Sequence, residues 1–564
     1  MTYDLVIRGG TIIDGTGTPA VRGDVAISNG RIAAVGDVTG SARTTIEADG
    51  RVVAPGFVDI HTHYDAQIFW DRLLTISPWH GVTTVVMGNC GFGVAPTRPG
   101  DRGLILRTLE KVEGMSLEAL EAGLGSDWPF ETFPQYLDAI ERRGVGINVG
   151  ALIGHTPVRM YVMGEASTER AATDEEIARM REIVRDGIRA GAVGFATSRS
   201  PTHIGYAGRP VPSRAAEMTE IEALIGALSD AGAGIVQATA GPGFFISEFA
   251  DIVRRSGRTF TWTALLAGMM GEGSHRWMLD MNADVQSQGL PVIPQVSCRP
   301  LMFEFQMKEP FIFESMPVFQ PVSAADLEGK KRIYRDPDFR RRFKETFGSA
   351  VLSGRWERTW IAASRTATNL EERTVSDVAT SRGVDPVDLV LDLSLAENLE
   401  TRFRMAVVNT DENAVGELLQ HPATMLGLSD AGAHASQLCD ACFATDLLAR
   451  WVREKKTLSL EQAVRMLTSR PAEVFGLHDR GRLARGVPAD VVIFDPERVG
   501  ASPLRRVQDL PAGADRLVSE ATGIDAVIVN GTVLRREGRD ALDPAGPLPG
   551  RVLRSGRFGS ASQS

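Results

Sequence analysis

The rhythm of apolar and polar positions changes twice along the chain. Over residues 1–56 the two alternate in DLVIRGGTIID, DVAISNGRIAAVG and TTIEADGRVVAPG, and each run breaks at Gly, Asn or Asp. Period-two alternation bounded by turn residues predicts short, half-exposed strands. The same texture returns after about residue 481, in RLARGVPADVVIFD and IDAVIVNGTVLRREG. Two strand-rich ends around a different middle predict one small β-domain, a sandwich, made of residues 1–56 and 481–541. From residue 542 to 564 the chain is rich in Gly, Pro, Ser and Arg and reads as a loosely ordered tail.

The middle, 57–480, alternates two other signals. Short apolar runs near 57–61, 83–89, 148–154, 191–197, 234–240, 258–266, 290–297 and 425–429 read as buried strands. Helical periods separate several of them. Thr173 and Glu176 form a capping box ahead of Ile177, Met180, Val184 and Ile188 on one face, Ser459 and Gln462 open another helix, and Gly232 ends a third. Eight strands with intervening helices predict an α/β fold, a (β/α)8 TIM barrel. The spacing is regular to about residue 298. Residues 300–425 are too long for one βα unit and hold Phe303, Phe305, Phe311, Phe313 and Phe319. They read either as a lid at the barrel mouth or as a peripheral elaboration.

Composition narrows the partners. Of 564 residues 43% are hydrophobic, enough for a large core. Lys plus Arg number 61 against 71 Asp plus Glu, a net charge of −10, which argues against a nucleic-acid or anionic-membrane surface. No apolar run approaches the length of a membrane span, and MTYDLVIRGG lacks the basic and apolar regions of a signal peptide. Cys90, Cys298, Cys439 and Cys442 are too few for a disulfide framework. A cytoplasmic protein acting on a small molecule is expected, of undetermined oligomeric state.

The sharpest chemical signal is Asp59-Ile60-His61-Thr62-His63, at the end of the first barrel strand. Side chains at i and i+2 project from the same face, so His61 and His63 point together at the end where barrel active sites are built. Paired neutral imidazoles suit a divalent transition metal. With PGFVDIHTHYD, HGVTTVVMGNCG, SDAGAH and GRLARGVPADVVIFDP, the chain resembles the amidohydrolase superfamily. Its GNCG segment resembles the D-aminoacylase, or N-acyl-D-amino-acid deacylase, branch. The resemblance implies a metal-dependent barrel hydrolase with a composite β-domain, cleaving an amide C–N bond, with an N-acyl amino acid as substrate. It also implies that Cys90 is a metal ligand and that Asp430 both binds metal and acts as general base on the attacking water. Alternative readings are a hydrolase of another amide, a cyclic amide or an ester, or a non-catalytic binding or scaffold protein on the same fold.

The sequence departs from that family where two further histidine ligands are expected. The fifth strand reads IVQATAG and the sixth TFTWTAL, with no histidine in either, and the fourth, AVGFATSRS, lacks the lysine that other branches carbamylate. His61, His63, Cys90 and Asp430 remain, enough for about one Zn2+ per chain. His155 matches a family histidine and is a candidate substrate contact. Arg159, Arg199 and Arg299 each follow a barrel strand and are candidates to clamp a substrate carboxylate, Arg299 first among them. His203 and His275 are loop histidines able to replace a lost ligand, and His80 falls at the opposite barrel end. Cys439-x-x-Cys442 has no second CxxC or HxxxH near it. Phosphate-loop and nucleophile-elbow motifs are absent.

Overall fold

The computed structural model describes residues 2–347 and 355–555. Its centre is an eight-stranded sheet of parallel neighbours: Phe57–Asp59, Val82–Met87, Asn148–Gly154, Gly194–Ser198, Ile235–Thr239, Phe260–Thr263, Val292–Val296 and Met425–Leu426. The expected strand positions hold throughout, because each is an apolar run closed by residues that leave the sheet. A bridge between Thr62 and Ala431 brings the first and last strands together, and His63 N donates to Ala431 O at 2.7 Å. Amphipathic helices pack outside. Asp174–Ala190 begins at the Thr173–Glu176 capping box, and Met218–Ala231 ends at Gly232 in the left-handed region.

Residues from both termini share a nine-stranded sheet, in which Val52–Pro55 pairs antiparallel with Val491–Phe494. The first strand, Thr2–Ile12, carries Ser41–Glu47 along its start and Val52–Pro55 at its end, so the sheet splits along that strand. Leu5, Ile7, Val25, Ile27, Val53, Val491, Ile493 and Ile528 form its separate apolar core.

The stretch at 300–425 is more than a helical elaboration, and Leu301, Phe303 and Phe311 from it reach the barrel mouth. Its described part folds as a unit with its own core. Leu301–Gln306, Arg402–Val408 and Thr359–Ala363 make a three-stranded antiparallel sheet, and Phe305, Phe313, Phe319, Phe339, Phe343 and Phe403 pack against it. Residues 348–354 lie outside the described residues. The expected loose tail is also corrected over 542–555. Gly550 and Val552 bridge to Val145 and Val149, Leu553 is buried, and Arg554 binds Asp138, Glu141 and the Ala190 carbonyl. A polar stretch docks here because barrel backbone and carboxylates supply its partners. Residues 556–564 lie outside the described residues.

Candidate functional site

Strand ends gather the chemistry at one mouth of the barrel. His61 and His63 leave the first strand together, with ring centroids 5.3 Å apart. Cys90 follows the second strand on a tight turn at φ 57°, between Gly88 and Gly91, both at positive φ. A Cβ on Gly88 would meet the Leu152 carbonyl oxygen at 2.3 Å, and one on Gly91 would meet Thr197 Cα at 2.9 Å, so glycine lets this turn press against neighbouring strands. Asp430 follows the last strand at φ 45°, a left-handed conformation held by its surroundings. No helix starts there: the chain stays irregular up to Phe443–Asp446, so Asp430 is not a helix cap.

The donor atoms of His61, His63 and Cys90 lie within 4.8 Å of one another, all buried. Asp430 Oδ1 faces both histidines, 3.2 Å from His61 Nε2 and 3.7 Å from His63 Nε2, and Cys90 Sγ is 3.5 Å from His61 Nε2. The edges of a tetrahedron drawn at zinc–ligand bond lengths run roughly 3.3–3.8 Å. Two imidazoles and a thiol gather as ligands of a zinc-like ion would, and the Asp430 carboxylate stands beside both imidazoles at matching separations.

Electrostatics agree. Burial alone would raise the Cys90 thiol, but the charges and hydrogen bonds of His61 and His63 outweigh it and bring the thiol down to about 7. Burial would likewise raise Asp430, yet His63 and His61 hold it well below the usual carboxylate range. Burial disfavours charge on the two histidines, and the anions around them, Cys90 at His61 and Glu113 at His63, raise both above the usual imidazole value. The cluster favours positive charge among its acceptors, and a metal ion that displaces the imidazole protons supplies it.

Supporting residues fix the rings. His61 Nδ1 donates to Gln295 Oε1 at 2.7 Å, and Gln295 Nε2 donates to Thr261 Oγ1, which sets the amide orientation. His61 Nε2 is thereby left facing the cluster. Cys90 N donates to Gln237 Oε1 at 2.7 Å. Glu113, at the end of helix Arg102–Glu113, lies 3.3 Å from His63 Nδ1. Nothing local in the sequence marks Glu113 or Gln295. Each resembles an ordinary helix or strand residue until the fold sets it behind a histidine.

The cluster floors a cavity of about 550 Å3. Phe92, Phe245, Trp262, Leu266, Met269 and Met278 line it, with Leu301, Phe303 and Phe311 from the 300–425 unit. His203 and His434 also reach it. Burial holds His203 neutral, pulled down to about 3, with its Nδ1 bonded to Ser198 Oγ. His434 packs against Phe303 and Phe311. At the ends of the fifth and sixth strands, where the family resemblance implies histidines, Thr263 Oγ1 donates to Thr239 Oγ1 at 3.2 Å and both threonines line the wall.

The candidate substrate contacts are placed elsewhere. His155 is fully buried between Thr197 Oγ1 and Glu220 Oε1, each at 2.8 Å. Arg159, also fully buried, donates to both Glu220 oxygens and to the Ser167 carbonyl. Arg299 lies behind the wall, with Nε 2.8 Å from Asp440 Oδ1 and an Nη 2.8 Å from Asp446 Oδ1. Arg199 donates to the Ala216 carbonyl. None of the four lines the cavity. A guanidinium at a strand end must find anions or carbonyls when it is buried, and here internal partners take all of them. His275 binds Glu417, and His80 sits at the opposite end between Thr445 and Ser519. Cys439 and Cys442 are buried, with the Cys442 thiol donating to the Cys439 carbonyl. No helix among the described residues is long and apolar enough to cross a membrane.

Comparison with known proteins adds a family. The model of the Amidohydrolase family matches residues 44–319 and 333–535. A D-aminoacylase of Alcaligenes xylosoxydans xylosoxydans is 30% identical over 538 residues, covering 95% of each chain. An N-acyl-D-glutamate deacylase of the same organism is 31% identical over 555 residues, 98% of this chain and 96% of the relative. Among solved structures, an N-acyl-D-glutamate deacylase from Bordetella bronchiseptica, complexed with zinc and a phosphonate inhibitor that mimics the tetrahedral intermediate, matches with a TM-score of 0.68. It is 27% identical, over 98% of this chain and all of the other.

Proposed function

The chain belongs to the amidohydrolase family, and from that membership we propose that it is a metal-dependent hydrolase of the amide bond in an N-acyl amino acid or a derivative of one. One observation carries the reading. Two imidazoles, a thiol and a carboxylate from the first, second and last barrel strands converge at the floor of a substrate-sized cavity.

His61, His63, Cys90 and Asp430 would hold about one zinc ion. When bound, such an ion supplies Lewis-acid activation of water and of the scissile carbonyl. The Asp430 carboxylate, whose Oδ1 faces the cluster, takes the proton of the attacking water and returns it to the leaving amine. Gln295 keeps His61 in the tautomer whose Nε2 is unprotonated and free to ligate. The apolar wall keeps bulk water from the reacting carbonyl.

Metal quantification of the purified chain, combined with a screen of N-acyl amino acids and their carboxamides in both hands, tests the reading. About one zinc per chain and amine release that chelation abolishes are expected. Two tightly held ions would overturn the single-ion assignment, and metal-free protein with no turnover would make the chain a binding protein on an amidohydrolase scaffold.

A further inference from the structure

The deacylase relatives act on N-acyl amino acids, whose free carboxylate must be met where it is desolvated, because an unpaired buried carboxylate is costly. Among the described residues, no lysine or arginine lines this cavity. The nearby cations are turned to partners within the protein. Arg299 stands behind Asp440 and is shared with Asp446, Arg199 and Arg214 bond the backbone carbonyls of Ala216 and His203, and Lys111, in an adjoining crevice beyond Phe311, pairs with Glu309. The charged groups that do reach the wall besides the metal cluster are Glu113 and Asp440, both acids.

The rest of the wall is apolar and continues to the outside. Met270 is 65% exposed and Trp277 42%, and both line the cavity. Met281, one helical turn beyond Trp277 on Ser274–Ser287, is 40% exposed. Phe245 packs against Trp262 and Trp277, so an aromatic surface runs from the lip into the interior. Large exposed hydrophobic side chains gathered at a cavity mouth mark a binding surface.

We propose that this cavity selects an N-acyl amino-acid derivative whose carboxyl is masked, as an amide or ester, and whose side chain is large and apolar, and that it rejects the free acid. The inference rests on the amide-hydrolase reading above and specifies its substrate. A free carboxylate would lie against Glu113, or against Asp440 whose cation Arg299 is already shared with Asp446, or be buried among aromatic rings, with no side-chain cation in the wall to meet it. A carboxamide carries no charge, keeps its shape and can bond to Thr239, Thr263 or Ser200, all in the wall.

The test uses the zinc-loaded full chain and matched pairs in both hands: N-acetyl-phenylalanine with N-acetyl-phenylalaninamide, and the alanine equivalents. Release of the free amino product is followed. The expected result is a kcat/KM at least about tenfold higher for the phenylalanine carboxamide than for its acid, and a similar advantage of phenylalaninamide over alaninamide. An acid cleaved as well as its carboxamide, or alanine as well as phenylalanine, overturns the proposal. If no compound is cleaved, the hydrolase reading fails on its own and binding still decides the specificity. Calorimetric titration of Asp430→Asn should then show the phenylalanine carboxamide binding at least about tenfold tighter than the acid, and equal, reversed or absent binding overturns it.

Discussion

Arg299 discriminates between two roles for a buried cation, and its removal has a size that the structure sets. The guanidinium is only 19% exposed and bonds to Asp440 and Asp446, which are 11% and 17% exposed, at 2.8 Å each. Arg299→Met keeps most of the volume and strands two carboxylates. Breaking a buried pair from one side costs about 3–5 kcal/mol. Part of that is relieved here. Burial already pushes Asp440 up to about 6 despite Arg299, so without the cation it holds a proton at neutral pH and the charge left stranded is mainly that of Asp446. A loss of about 2–4 kcal/mol at pH 7 is therefore expected. In a chain of 564 residues that melts as one unit, 3 kcal/mol moves Tm by only about 3 °C, so urea titration of the zinc-loaded protein is the sharper assay. Arg299→Lys should recover part of the loss, because it restores the charge without the two-pronged geometry. The acid-to-carboxamide ratio in kcat/KM should stay unchanged in both variants. A stability loss below about 1 kcal/mol, together with a raised KM confined to carboxylate substrates, would place Arg299 in the substrate pocket and refute the argument.

Asp430→Asn should retain zinc and fold while kcat falls by about 10²–10⁴, and near-normal turnover would remove Asp430 from the proton path. Gln295→Leu removes the acceptor for His61 Nδ1 and should weaken zinc binding about 10–100-fold in a competition titration, beyond a loss of about 1–3 kcal/mol in urea stability of the metal-free chain. Burial holds His80 neutral, lowering it from 6.5 to about 4, whereas the unfolded chain protonates it below 6.5. Its contribution is complete above pH 6.5, and roughly 3 kcal/mol is lost as the pH falls to 4. His80→Gln should flatten that part of the stability curve, and superimposable curves for the two proteins would contradict it.

The barrel was legible because each of its strands is an apolar run between helix signals, and a run buried on both faces leaves the same mark wherever it occurs. His61 and His63 were legible because a two-residue spacing on a strand needs no tertiary information. Cys90 and Asp430 depended on a family resemblance, since a lone cysteine or aspartate has no period. What escaped the sequence is what depends on pairing across space. Arg159 and Arg299 have the sequence context expected of substrate clamps, a cation just past a strand. Only the positions of Glu220, Asp440 and Asp446 show that both are neutralised within the protein. Glu113 and Gln295 were invisible for the same reason in reverse, because their significance lies in the histidine each one faces.

With no histidine on the fifth and sixth strands, the cluster still has backbone supports at the barrel seam and side-chain supports from the opposite wall. Thr62 N and Oγ1 both donate to the Val86 carbonyl of the second strand, His63 N donates to Ala431 O beyond the last strand, and Ser429 Oγ donates to the His61 carbonyl. The first, second and last strands thus hold the backbone at His61 and His63 together, while the opposite wall supplies Gln237 to Cys90 N and, through Thr261, orients the Gln295 amide that meets His61 Nδ1. Beyond those contacts the wall is built differently. It carries Thr239 and Thr263 in mutual hydrogen bonding, with Phe245 and Trp262 beside them, in place of ligands. Strand ends that carry threonine and aromatic side chains leave room for substrate. The aromatic, cation-free cavity follows from giving the ends of the fifth and sixth strands to pocket wall.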